Sequence, residues 1–494
     1  MEPPTSDEHA CQDPPAEAAE QSTAEGASQP PAAAGWLGWW LPLVLFAMAV
    51  VYAGLYGLIG DPTPPTVQLR CVAHAILFPL YFVTVWLLVR AGRAAWDRSA
   101  LLLILAGAAF LRLVVLSGTM PENPDLGRHL WEGRVLLEGF NPYAAAPADG
   151  IYDPLRDRLA AEGDRLYSGD WLYYAHVRSV YGPVATALFA LPHLLPLDRV
   201  LCLRLIMTCL DFLTILLLVR MAGRLGLAPA LVVVYAWNPV CLNSFADRGQ
   251  VDAALVFLIV LSTLWALQRR PTAAGLAFAA ALLTKLSPLL LIFPLLRVSG
   301  RRFGLACLVA VLVGVLPFVG AGLGGLQGFL TFADQWQHND SVYSLLLLAL
   351  GPLGGLFDAA RVARVLVALA ALAYALLVAA RLDAGRPEHL VRALVSISAA
   401  VILLSPVTYP WYATTLIAFL CFRPRASLLA LSTVPMLWYL RFLRAPVGSP
   451  WHAIVAAGER WRQPWRLPAY AAVAAIYLRE VLRARPATRC VSLL

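Results

Sequence analysis

Apolar runs long enough to cross a lipid bilayer recur along almost the whole of this 494-residue chain. A transmembrane helix needs about 20 consecutive apolar residues to cross a hydrocarbon core of about 30 Å. The chain is 60% hydrophobic and 14% charged, whereas soluble domains carry about 25% charged residues. The sequence therefore predicts an all-α, polytopic membrane protein.

The distribution of arginine predicts how the chain is oriented. Its formal net charge of +8 does not indicate nucleic-acid binding, because the arginines lie in short clusters between apolar runs, as in the positive-inside pattern. Keeping these clusters inside gives about 12 transmembrane helices and places both termini in the cytoplasm. It also gives half-helices near residues 184–195 and 344–353, and a re-entrant hairpin over 272–296 that is broken at 285–288.

Three units follow from this orientation. Residues 1–34 form a disordered acidic cytoplasmic tail, since they contain acidic side chains but no Lys or Arg. Residues 35–485 form the transmembrane domain, whose first long extracytoplasmic loop spans 119–183. Residues 486–494 form a second cytoplasmic tail. The 8 cysteines form no CxxC motif or Cys/His cluster, so neither a disulfide framework nor a zinc site is expected.

The long loop contains the densest group of functional residue types. If the chain is helical from Asp125 onward, Asp125, Arg128, His129 and Glu132 lie on one face. Such a group suits the deprotonation of an acceptor hydroxyl next to an anionic leaving group. The alternative is an interfacial amphipathic helix with an Arg128–Glu132 ion pair. Further along, His176 has either a site role or a structural one.

Two further features lie inside or at the edge of apolar runs. Arg248, Gln250 and Asp252 open an otherwise apolar span, where they either form a site or anchor the end of the span. Lys285 is the only lysine among 38 Lys and Arg residues. Its compact ammonium suits a phosphate or a buried carboxylate, although it could also reach back to the inner interface.

An aromatic motif follows at a predicted helix break. Tyr409 and Trp411 either belong to an aromatic belt or line a lipid or sugar site. Three polar stretches share the outer side in this topology, namely 120–183, 247–252 and 322–343. The turn 405–412 joins them, so all four are expected to converge.

These motifs, in this order, resemble the GT-C superfamily of polyprenyl-phosphate-sugar-dependent glycosyltransferases. The bacterial integral-membrane mannosyltransferase-like family is the most similar, and the pattern is also similar to the catalytic subunit of GPI mannosyltransferase I. The resemblance rests on Asp125, RHLWEGR from Arg128, GFNPY from Gly139, YGP from Tyr181, WNP from Trp237, RGQVD from Arg248, TKLSP from Thr284 and YPWY from Tyr409.

The resemblance implies a GT-C-like fold and an inverting transfer of a hexose, with mannose expected, from a polyprenyl-phosphate donor to a lipid or glycan acceptor. Asp125 would be the catalytic base, and no cofactor would be needed. The substrate-binding residues would be Arg128, His129, Trp131, Glu132, His176, Tyr181, Arg248, Gln250, Asp252, Lys285, Tyr409 and Trp411. The protein would lie in a bacterial plasma membrane among membrane lipids.

The first loop departs from the family pattern. The family often has a paired acid there, but Asn123 and Pro124 occupy the partner positions, which argues against a metal held by two acids. A lipid or solute transporter, a flippase and a non-catalytic GT-C-like subunit are the alternative interpretations.

Overall fold

A computed structural model describes residues 33–58, 64–91, 98–118, 124–164, 172, 174–444 and 466–483. Asn123, residues 1–32 of the predicted acidic tail and the predicted tail 486–494 lie outside these residues. Every regular element in the described part is helical, in agreement with the predicted fold class.

The α-helices are numbered here in chain order. They are α1 Ala33–Leu58, α2 Pro64–Ala91, α3 Arg98–Leu116, α4 Pro124–Leu137, α5 Asp153–Ala161, α6 Pro183–Ala190, α7 Arg199–Arg224, α8 Val233–Ala236, α9 Pro239–Leu242, α10 Asp252–Leu267, α11 Pro271–Leu282, α12 Ile292–Val315, α13 Gln327–Gln335, α14 Val342–Leu350, α15 Ala359–Ala380, α16 Pro387–Leu404, α17 Thr414–Leu420, α18 Ala426–Thr433 and α19 Arg466–Arg483.

Several of these helices are long and apolar enough to cross a membrane. By length and composition, 7 qualify in the described part of the chain, or 8 if the pair Pro229–Ala236 and Pro239–Asp247, bent by 55°, counts as one span. The chain is thus a multi-pass membrane protein. The predicted number of about 12 is reached only if shorter apolar helices, such as α10 and α11, also cross.

The chain breaks where the sequence predicts a break around the lysine. Helix α11 ends at Leu282, and helical structure resumes only at Leu289. Gly300 then has a left-handed backbone with φ of 71° inside α12. Gly275 lies against Phe303, and Leu283 lies against Gly314. The part of α12 after Gly300 therefore runs parallel to α11, and the segment between the two runs in the opposite direction.

Close backbone contacts dock α4, the loop helix, and residues 174–183, the re-entry segment that leads into α6. A Cβ on Gly133 would lie 2.1 Å from the carbonyl oxygen of Phe189, so only glycine allows α4 and α6 to approach this closely. A Cβ on Gly182 would lie 2.1 Å from the carbonyl oxygen of Leu283. The amide of Gly182 donates to the carbonyl of Thr284 at 3.1 Å. These contacts fix α4 and the break after α11 relative to each other.

Buried ion pairs join the spans near the same region. Arg112 of α3 donates from Nε to the Asp211 carboxylate of α7 at 2.7 Å, and Arg70 of α2 pairs with Asp247. All four side chains are almost fully buried. Because an unpaired charge is costly in an apolar interior, each pair fixes the relative position of its two segments.

Candidate active site

One large cavity lies where the four predicted polar segments meet. Its volume is about 780 Å³, which is within the range of ligand sites, about 300–1,000 Å³. Asp125, Arg248, Trp336 and Tyr409 each come from a different one of these segments, and all four line the cavity. The predicted convergence of the segments is therefore confirmed.

Of the 13 residues proposed from the sequence, eight line this cavity. They are Asp125, Arg128, Glu132, Tyr181, Arg248, Lys285, Tyr409 and Trp411. Gln250 and Asp252 lie directly behind the lining, each bonded to one of its charged residues. His129, Trp131 and His176 are not part of it.

The carboxylate of Asp125 is held from the side of α10. It lies in the first turn of α4, and its Oδ2 accepts a hydrogen bond of 2.8 Å from Nε2 of Gln250. Gln250 is 1% exposed, so its amide has little freedom to turn away. The Asp125 side chain is thus placed at the cavity surface by a partner 125 residues away in sequence.

The only lysine of the chain faces the same cavity from the break after α11. Its Nζ lies 3.0 Å from Oδ2 and 3.2 Å from Oδ1 of Asp252, so the ammonium is paired with a buried carboxylate. It also lies 4.2 Å from the ring centroid of Tyr412, a cation–π distance. Lys285 therefore has a fixed position in the cavity wall, beside the segment that also holds Asp125.

The predicted Arg128–Glu132 pair is present, and it ties the loop helix to the re-entry segment. Arg128 donates from Nε to Glu132 at 2.8 Å, and from its two terminal nitrogens to the carbonyls of Tyr174 and Val177. Glu132 also accepts from the Ser179 hydroxyl at 2.6 Å. Because each nitrogen of this guanidinium already has a protein acceptor, Arg128 stabilises the cavity wall.

His129 departs from the prediction that it shares one helix face with Asp125, Arg128 and Glu132. Its ring is fully buried and stacks on Phe189 at 4.2 Å, because α6 packs closely against α4 at Gly133. Burial, followed by the nearby charges of Lys285 and Arg128, lowers the pKa of His129 to about 3. The imidazole is therefore neutral and packs as a core ring.

Trp131 and His176 also lie outside the cavity lining. Trp131 is 1% exposed in a small apolar cluster, where its ring meets that of Tyr152 edge to face at 5.6 Å. His176 is exposed, and its ring centroid is 6.3 Å from that of Tyr174. A lone sequence gives only their residue type, and the direction of each side chain depends on packing.

Aromatic residues form much of the remaining wall. Tyr409 and Trp411 stack at 4.8 Å with an angle of 10° between their planes. The proposed set omits six further aromatic residues of the lining, namely Tyr174, Phe329, Phe332, Trp336, Tyr412 and Trp438. Tyr412 is the last residue of the YPWY motif, so the motif could have revealed it. Trp336 and Trp438 have no comparable signal in the sequence.

Apolar side chains form the cavity wall along helices α13, α15 and α16. Phe329, Phe332, Val365, Ala368, Ala371, Val401 and Leu404 line the cavity there. Most of the charged groups come instead from the loop helix, the segment after Asp247 and the break after α11, and Arg178 and the α15 residue Arg364 also line the cavity. One continuous space thus offers both an apolar surface and a cluster of charges. In the described residues, no group of three or more His, Cys, Asp or Glu is placed to hold a metal.

Residues 180–406 match the model of glycosyltransferase family 87. The match spans a little under half of the chain and includes Arg248, Gln250, Asp252 and Lys285, whereas Asp125 and Tyr409 lie outside it. No curated protein matches the chain. Together with the multi-pass helical fold, the family match supports a glycosyltransferase of the GT-C type, which acts on a sugar donor and an acceptor.

Proposed function

We propose that the protein transfers a hexose, with mannose as the expected sugar, from a polyprenyl-phosphate donor to a hydroxyl of a lipid or glycan acceptor, with inversion at the anomeric carbon. The observation that carries this proposal is the single cavity with two surfaces. An isoprenoid chain fits the apolar side along α13, α15 and α16, while a sugar phosphate fits the charged end.

Asp125 is the proposed base. Its carboxylate reaches the cavity and is oriented by Gln250. It accepts the proton of the acceptor hydroxyl while that oxygen forms a bond to C1 of the donor sugar. The bond between C1 and the phosphate oxygen breaks at the same time, and its electron pair leaves with the lipid phosphate.

The leaving phosphate gains one negative charge, because a phosphodiester becomes a monoester. Lys285 and Arg248 are the proposed groups that offset this charge, since both present a cation to the cavity. Groups already fixed in position stabilise such a charge without reorganising during the reaction. Arg128 and Glu132 contribute through the position of the loop helix.

The proposed orientation follows from the arginine clusters, and the proposed bacterial plasma membrane follows from the family resemblance. The cavity end of the helices faces the extracytoplasmic side, the two termini are cytoplasmic, and the membrane is a bacterial plasma membrane. Accessibility of single cysteines to a membrane-impermeant maleimide tests this placement. A cysteine at the exposed position Asp157 is expected to react from outside in sealed cells, whereas one at Arg224 is expected to be protected.

The decisive experiment uses purified protein in lipid nanodiscs with undecaprenyl-phosphate-[¹⁴C]mannose. An Asp125→Asn variant should lose transfer by about 10²- to 10⁴-fold, the usual contribution of a general base. Asp157→Asn is the matched control, because Asp157 is exposed on α5 and does not line the cavity. Equal transfer by Asp125→Asn and the wild type would rule out the assigned base.

The same assay separates the alternatives. A flippase or transporter would move the labelled lipid across the bilayer while the bond between sugar and phosphate stays intact. A non-catalytic subunit would be inactive as the purified wild type and would become active only with a partner enzyme. Release of undecaprenyl phosphate by the wild type alone is the result that the proposed function predicts.

A further inference from the structure

A chain of buried contacts runs from α2 to the cavity and ends at Arg248. The guanidinium of Arg248 lies over the ring of Tyr439, with 4.9 Å between its carbon and the ring centroid. Both side chains are nearly buried, at 7% and 6% exposure. A cation–π contact is strengthened when it is desolvated, so the ring defines where this guanidinium rests.

The Tyr439 ring is itself tethered. Its hydroxyl donates to Oδ1 of Asn243 at 3.0 Å, and Nδ2 of Asn243 donates to Oδ2 of Asp247 at 3.1 Å. Asp247 is fully buried and forms an ion pair with Arg70 at the beginning of a span. This chain of hydrogen bonds therefore ends at a buried ion pair, and separating that pair would be strongly destabilising.

The backbone connects the same residues a second time. Residues Asn243–Asp247 form a π-helical turn, which is closed by a hydrogen bond of 3.1 Å from the Arg248 amide to the Asn243 carbonyl. Gly249 follows with a left-handed backbone, φ 59°. Single π turns of this kind often occur at functional sites. Asn243 thus contacts both the backbone of Arg248 and, through Tyr439, the surface beneath its guanidinium.

We propose that Tyr439 is a positioning residue, which acts through Arg248 to set the affinity of the cavity for a lipid phosphate, and that Asn243 holds Tyr439 in place. Tyr439 itself does not line the cavity, so it acts indirectly. This inference rests on the proposed function, because it takes Arg248 as a phosphate-binding group.

The test is a double-mutant cycle on binding of undecaprenyl phosphate, measured by native mass spectrometry of the full chain. Tyr439→Leu removes the ring and should raise Kd about fivefold. Tyr439→Phe keeps the ring but loses the tether, so its Kd should rise only about twofold. In an Arg248→Gln background, Tyr439→Leu should change Kd less than twofold, because its effect passes through Arg248.

A purely structural role gives a different result. Loss of core packing would lower the melting temperature in both backgrounds without any coupling in Kd. Tyr81→Phe is the matched control, because it removes another buried hydroxyl, one that donates to the Val234 carbonyl at 2.7 Å. It should leave Kd unchanged.

The outcomes distinguish this inference from the proposed function. If the wild type binds undecaprenyl phosphate and Tyr439→Leu raises Kd by the same factor in both backgrounds, the positioning role is overturned while the donor class stands. If the wild type does not bind this lipid, the proposed donor class and the positioning role are both overturned.

Discussion

The Gln250 amide donates a hydrogen bond of 2.8 Å to the Asp125 carboxylate, and two residues later Asp252 holds Lys285 at 3.0 Å. One short segment at the start of α10 thus contacts both the proposed base and the proposed cation. The distance between these two groups is set by the same piece of backbone, so a change in the segment should affect both.

Replacing Gln250 tests whether the orientation of the base matters. Gln250→Met keeps a similar shape but cannot donate to Asp125, so the turnover rate for transfer should fall about tenfold, as expected for a misplaced catalytic group. The KM for the lipid donor should stay within about twofold. Steady-state kinetics in nanodiscs measure both values. Gln268→Met, at the other end of α10, is the control and should resemble the wild type.

Lys285 offers a way to separate stability from catalysis. Lys285→Met leaves the Asp252 carboxylate buried without its cation, which should lower both the melting temperature and the transfer rate. The double variant Lys285→Met/Asp252→Asn leaves neither charge unpaired and should regain most of the stability. Its transfer rate should remain about 10²-fold below that of the wild type, because the leaving phosphate still lacks the cation.

The comparison of the two variants decides the role of the lysine. Thermal unfolding gives the stability, and release of undecaprenyl phosphate gives the rate. Recovery of transfer together with stability in the double variant would show that Lys285 has only a structural role.

A substitution at Gly182 tests the close contact between the re-entry segment and the break after α11. Gly182→Ala would place a Cβ 2.1 Å from the Leu283 carbonyl oxygen, so the re-entry segment or the break must shift. We expect a loss of about 1–3 kcal/mol of stability, the usual cost of overpacking, together with reduced transfer because Lys285 moves. Gly223→Ala in α7 meets nothing within 4 Å and should be neutral or slightly stabilising.

The same glycine-to-alanine change is thus expected to destabilise the protein at position 182 and to leave its stability unchanged or slightly higher at position 223. Melting temperatures measured by intrinsic fluorescence in detergent, with transfer assays on the same samples, provide the comparison. A Gly182→Ala protein as stable and active as Gly223→Ala would mean that the close contact does not constrain the site.

Hydropathy and charge could predict the helical membrane fold, the break around Lys285 and the meeting of the four polar segments. These features depend on segment length, on the side of the membrane and on chain order, all of which a single sequence contains. The pairing of Lys285 with a buried carboxylate was also one of its expected roles, because a lone buried ammonium is costly.

Side-chain directions and long-range partners could not be predicted. His129 and Glu132 are three positions apart on one helix, yet only Glu132 reaches the cavity. The difference arises from the packing of α6 against α4. Arg70 and Asp247 are 177 residues apart, and the sequence around either residue does not predict the other as its ion-pair partner. Such pairs depend on which helices become neighbours, which only the folded chain determines.

His129 leads to a prediction about pH. Burial lowers its pKa to about 3 in the folded protein, whereas the unfolded chain has the ordinary value of about 6.5. Between these two values the unfolded state binds a proton that the folded state does not. The contribution of neutral His129 to the free energy of unfolding is therefore fully present above about pH 6.5. It decreases as the pH falls, by about 1.4 kcal/mol per pH unit, which amounts to about 2 kcal/mol at pH 5. Neither ring nitrogen has a hydrogen-bond partner in the described part of the chain.

The variant His129→Phe tests this directly, since phenylalanine can keep the stacking on Phe189 and cannot bind a proton. The drop in melting temperature from pH 7.5 to pH 5 should be smaller in this variant than in the wild type. His176→Phe, at an exposed position, should show the same drop as the wild type. An identical drop in all three proteins would mean that His129 is not kept neutral by the fold. A smaller drop in His129→Phe alone would confirm that the fold keeps the His129 imidazole neutral.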